Sequence, residues 1–130
     1  VCRLTQALLP LLNASEAGRI VFATSGVGQR VEAYWGASAV SKAGLEMFVG
    51  MLSQELENTS NTRVLLINPG ATRTKMRAEA MPSENPETLP SSDIVAEAFL
   101  YGLTKDAETS HGQRVNARDL MDALGTWRTP

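Results

Sequence analysis

Apolar and polar positions alternate along this chain in two different periods. Leu4, Ala7, Leu8, Leu11 and Leu12 fall at steps of three and four, which predicts a helix with one apolar face. Pro10 lies late in that pattern and is expected to kink the helix, because it removes a backbone donor. Arg19-Ile20-Val21-Phe22-Ala23 is an apolar run of strand length without alternation, as a strand buried on both faces requires. A long helix is predicted from about Trp35 to Glu57, with Ala37, Val40, Leu45, Phe48, Val49, Leu52 and Leu56 on its apolar side. Arg63-Val64-Leu65-Leu66-Ile67 reads as a second buried strand, closed by Asn68-Pro69-Gly70. Ser91-Ser92-Asp93 offers hydroxyl caps and a first-turn acid for a helix carrying Ile94, Val95, Ala98, Phe99 and Leu103. Gln113–Ala117 is a short third strand, and the rest to Pro130 is expected to be a loosely ordered tail.

Between Ala71 and Pro90 no period emerges, and Pro82, Pro86 and Pro90 break up the segment. A loop of that length is uncommon in a compact domain and is usually a lid or disordered. The alternation of helices and strands predicts an α/β architecture with a parallel sheet and right-handed crossovers.

Composition removes several function classes. The 130 residues carry 12 Lys plus Arg against 14 Asp plus Glu, a net charge of −2, so no basic surface calls for nucleic acid or an acidic membrane. Cys2 and His111 are each single, which leaves a metal cage without ligands. The longest apolar stretch, Ala7–Leu12, is far below the roughly 20 residues of a membrane span, and no basic segment precedes it as in a signal peptide. A cytoplasmic location is expected.

In an open parallel sheet ligands bind beyond the carboxyl ends of the strands, where the loops Thr24–Gly28 and Asn68–Thr74 fall. Ser25 is either a turn residue satisfying its own backbone or a hydroxyl at the mouth of the crevice. Gly26-Val27-Gly28 is a poor phosphate loop, because Val31 stands where a third glycine belongs and no Lys-Ser or Lys-Thr pair follows. Lys42 is either a solvated helix lysine or a functional one, and its small neighbours Ser41, Ala43 and Gly44 leave room for a close approach.

Leu4–Pro10, Gly18–Phe22, Ser25, Trp35–Ala43 and Asn68–Thr74 together resemble the short-chain dehydrogenases/reductases, in that family's order and spacing from Leu4 to about Ala117. The resemblance implies the carboxyl-terminal part of a Rossmann-like, doubly wound parallel sheet: the last three strands with flanking helices. It divides the chain into 1–117, with a lid over 71–90, and a tail over 118–130. It implies hydride transfer between a nicotinamide (NAD or NADP) and a small carbonyl or alcohol substrate. Ser25 matches the serine that binds the substrate oxygen and Lys42 the lysine that holds the ribose. Asn68, Pro69, Gly70 and Thr74 match the loop that meets the carboxamide. Ser38, 13 residues after Ser25, stands where the family has its acid–base tyrosine. An aliphatic hydroxyl is a far weaker acid than a phenol. Tyr34 lies eight residues before Lys42, about 12 Å of helical rise, so it is expected to pack at the helix entrance or line the cleft rather than replace that tyrosine.

The glycine-rich turn of a dinucleotide site does not occur in this sequence. The chain is therefore expected to be a fragment, inactive by itself and without tightly bound cofactor, of an NAD(P)-dependent oxidoreductase. The alternative is a non-catalytic module that associates with its own copies through helices 4–13 and 35–57, beside an unpaired strand edge at Arg19–Thr24.

Overall fold

Strand β2 (Arg63–Asn68) pairs in parallel with β1 (Arg19–Ala23) on one side and β3 (Arg114–Asn116) on the other. In this computed structural model, which describes residues 1–125, helices α1 (Cys2–Ala14), α2 (Gly36–Glu57), α3 (Lys75–Ala80), α4 (Ser92–Gly102) and α5 (Ala117–Ala123) complete the fold. The α/β parallel architecture expected from the sequence is the one observed.

Successive residues of β2 point to opposite faces, and each face has its own core. Val64 and Leu66 join Phe22, Val49, Leu52 and Leu56 beneath α2. Leu65 and Ile67 join Val95, Ala98, Ala117 and Met121 beneath α4 and α5. Burial on both faces explains the unbroken apolar run in β2. Phe22 and Phe48 meet edge to face, with centroids 6.2 Å apart, and lock β1 to α2. Residues 118–123, expected in a loose tail, instead form most of α5, and Met121 is 2% exposed in the second core. Residues 126–130 of the expected tail lie outside the described residues.

Helix α1 runs through Pro10 to Ala14 and turns the unexpected way. Thr5 is buried and Leu9 packs on the first core, while Leu4 and Leu11 are 65% and 72% exposed. On α2, Val40 also faces solvent rather than the core. β1 has no partner on its outer side among the described residues.

The segment 71–90 is folded rather than irregular. The Thr74 hydroxyl accepts from the Arg77 amide and caps α3. Arg77 then grips Glu84 through two bonds of 2.6 and 2.8 Å. The hydrogen bond from Arg77 holds the Glu84 carboxyl below the usual carboxylate range. Arg73 bridges to Ser91 through the backbone and holds the carboxylate of Glu87 and the carbonyl of Leu89. The Ser91 hydroxyl accepts from Ile94 N and starts α4, as its sequence position predicts.

Candidate active site at the carboxyl ends of the strands

Parallel pairing carries Ala23 beside Ile67, and Thr24 N donates to the Ile67 carbonyl at 2.8 Å. The two strands thus release their chains side by side, one into Ser25 and the other into Asn68. After Ser25 the chain makes a 3-10 turn, Gly26–Gly28, tied by Gly28 N to the Ser25 carbonyl. Val27 anchors that turn in the interior. The Ser25 hydroxyl makes no capping bond to the turn, so the turn-satisfying role is not the one it plays.

The turn lies directly on α2. A Cβ at Gly28 would stand 3.1 Å from Lys42 Cβ and 3.2 Å from Glu46 Oε1, tighter than an ordinary contact, so the turn packs closely on α2 there. The small residues around Lys42 are not what the turn meets: Ser41, Ala43 and Gly44 are exposed, and nothing stands within 4 Å of a Cβ at Gly44. Lys42 Nζ reaches over β1 and donates to the Ala23 carbonyl at 3.0 Å, two residues before Ser25. Ser38 is one helical turn before Lys42, half-buried, and its carbonyl accepts from the Ser41 hydroxyl. Lys42 thus ties α2 to the end of β1 two residues before Ser25, with Ser38 one turn earlier on the same helix. Tyr34 does not join them: it is fully exposed, and it is the one non-glycine residue with positive φ (71°) among those described.

The second loop is built by Asn68. Its Oδ1 accepts from Gly70 N at 3.2 Å, closing a side-chain turn, and its Nδ2 donates to Asn116 Oδ1 at 3.0 Å. Gly70 takes a left-handed φ of 72°, and the space beside its Cα is open. Asn68 thus shapes the loop with its side chain, and Gly70 lies open at its tip. Thr74 follows as the α3 cap.

A polar network that motif reading missed lies behind these residues. Glu46, one turn after Lys42, accepts from the buried Thr24 hydroxyl at 2.6 Å and from Gln29 Nε2 at 2.7 Å. Arg114 Nε on β3 reaches the same carboxylate at 3.1 Å. Burial raises the Glu46 carboxyl, but the bonds from Thr24, Arg114 and Gln29, with the Arg114 charge, outweigh it and hold the group below its ordinary range. Arg114 also donates to Asn116, whose amide donates to Asp119, so the network joins the two loops through β3. A carboxylate set among Leu45, Met47 and Phe48 was the available signal. Among the described residues no three His, Cys, Asp or Glu side chains form a metal cluster, and no helix is long and apolar enough to cross a membrane.

A family model described as short chain dehydrogenase matches residues 1–85. The chain belongs to that family. Among its relatives is the uncharacterized oxidoreductase YciK of Escherichia coli K12, 42% identical over 115 residues, which are 88% of this chain and 45% of YciK. A solved short chain dehydrogenase from Salmonella enterica serovar Typhi CT18 superposes with a TM-score of 0.84 at 43% identity, over 88% of this chain and 47% of that one. A structure from Escherichia coli CFT073, described as a short chain dehydrogenase complexed with NADPH, superposes with a TM-score of 0.83 at 42% identity, again over 88% and 47%. The chain spans about half the length of the relatives it matches.

Proposed function

We propose that this chain carries the carboxyl-terminal part of an NAD(P)-dependent short-chain oxidoreductase, with 71–90 as its lid, acting on a small carbonyl or alcohol substrate. The observation that carries the reading is the meeting of the Ser25 turn with Lys42 at the end of β1, beside the Asn68–Gly70 loop of β2. NADPH in a structural relative supports the cofactor class.

The residues present fit the nicotinamide end of such a cofactor. The space beside Gly70 admits a flat ring against backbone, and the Lys42 ammonium suits ribose hydroxyls. Thr74 lies on the same loop and supplies a hydroxyl for the carboxamide. The bound nicotinamide would supply or take up the hydride. Ser25, with a hydroxyl not used in capping, orients the substrate oxygen, and Ser38 occupies the acid–base position with a poor acid.

The test is NAD(P)H consumption by the full-length protein with a panel of aldehydes and ketones, for the wild type and for Ser38→Tyr. A positioned phenol is expected to raise reduction at least about 10²-fold. Equal rates would remove Ser38 from the acid position.

A second reading, association of copies through α1 and α2, is favoured by one observation. Leu4, Leu8 and Leu11 on α1, with Val40, Met47 and Met51 on α2, are exposed apolar side chains. An oligomer built on these faces is compatible with the oxidoreductase reading, and it is the whole function if neither the wild type nor Ser38→Tyr turns over any substrate of the panel.

A further inference from the structure

We infer that Glu46 is the positioning residue that sets the Ser25 turn against Lys42, an inference that rests on reading Ser25 and Lys42 as site residues. One carboxylate holds both ends of the turn. Thr24, immediately before Ser25, donates to Oε1, and Gln29, immediately after Gly28, donates to Oε2. The grip is internal: Thr24 is 3% exposed and the Glu46 side chain 14%. Glu46 stands one helical turn from Lys42 on the same side of α2, because a Cβ built at Gly28 would meet both. The clamp and the lysine therefore share one rigid element, and the turn cannot move without breaking charge-assisted bonds.

Arg114 gives the arrangement its selectivity. Lys42 and Glu46 are spaced to pair with each other along the helix, yet Glu46 pairs with Arg114 and Lys42 extends to the Ala23 carbonyl. Arg114 occupies the carboxylate from the β3 side and leaves the ammonium to the carbonyl at the end of β1. Glu46 touches neither proposed substrate nor cofactor, and it acts through the turn and the lysine.

The experiment is hydrogen exchange on the full-length protein, read at Gly28 and Gln29, whose amides bond within the turn. Glu46→Ala is expected to speed exchange there by about tenfold or more, while β1 and β2 keep their rates. Glu46→Gln is expected to return within about threefold of wild type, because Gln29 can rotate its amide to accept from the new donor. Unchanged turn exchange in Glu46→Ala overturns the inference. So does an equal acceleration across both strands, which would make Glu46 a general stabiliser, and so does failure of Glu46→Gln to rescue. If Glu46→Ala does not fold, Gln29→Ala decides, since it keeps the Thr24 and Arg114 bonds. It should speed turn exchange at least about threefold, and an unchanged rate overturns the role. Where turnover is measurable, kcat/KM should fall about tenfold in Glu46→Ala and recover in Glu46→Gln. A turnover-silent wild type counts against the oxidoreductase reading, and the exchange result still decides the role of Glu46.

Discussion

Lys42 on α2 donates to the carbonyl of Ala23 at the end of β1, 19 residues earlier, at 3.0 Å. That bond orients the ammonium along the rim of the sheet. If the same group holds a ribose, Lys42→Ala should weaken NADPH binding to the full-length protein by roughly 10- to 100-fold, the range of a hydrogen bond to a charged group. Titration calorimetry measures it. An unchanged affinity would return Lys42 to the role of a structural helix residue.

Acid should lower the stability of the fold through Glu46. The Glu46 carboxyl sits below its ordinary range in the folded protein, so the folded state holds fewer protons there than the unfolded chain. Its contribution is fully present above the ordinary carboxylate range and is lost as pH falls through the lowered folded value. Urea midpoints measured from neutral pH downward should therefore fall, and Glu46→Gln should flatten part of that slope. A parallel slope in the variant would assign the acid lability to other groups, Glu84 first.

His111 is a structural residue whose loss should be costly. Its Nδ1 accepts from Val64 N at 3.1 Å and its Nε2 faces the Ser53 carbonyl at 3.0 Å, so the tautomer with hydrogen on Nε2 satisfies both. His111→Phe leaves the buried Val64 amide without its acceptor, and the expected loss is about 1–3 kcal/mol. Urea unfolding checks this. A loss below about 0.5 kcal/mol would mean that water takes over that bond.

Self-association should depend on the outward face of α1. Leu11 is exposed, so Leu11→Asp costs the folded chain little and places a charge in any apolar interface formed there. Light scattering over a concentration series should show an oligomer for the wild type and a smaller species for Leu11→Asp. A wild-type monomer at high concentration would overturn the association. Phe48 is the wrong probe, because it packs on Phe22.

The 130 residues alone should bind NADH and NADPH no better than millimolar, about −4 kcal/mol. Pyrophosphate binding in this fold uses a helix N-terminus beside a glycine-rich turn, and the sequence holds no such turn. Calorimetry decides the matter. Micromolar binding would mean that another segment holds the phosphates, with Ser25–Gly28 the first to test.

By itself the sequence determined the order of α1, β1, α2, β2, α4 and β3, the parallel sheet and the two loops at its carboxyl end. Those features follow from short-range periodicity, from the unbroken run in β2 and from local punctuation such as Ser91 and Asn68-Pro69-Gly70. Motif spacing singled out Ser25, Ser38 and Lys42, and the tertiary structure ties Lys42 to the carbonyl of Ala23, two residues before Ser25. Only the tertiary structure decided which side of α1 turns inward. Its leucine stripe is amphipathic in either orientation, and the sheet selected Thr5 and Leu9 instead. The helix inside 71–90 was hidden by its prolines, since the Arg77–Glu84 pair that closes it is a contact of side chains rather than a period. The network around Glu46 was least legible of all. Its partners Thr24 and Arg114 lie 22 and 68 residues away in sequence. Such polar pairs are made by strand register and by what packs above it, and a periodic pattern carries neither.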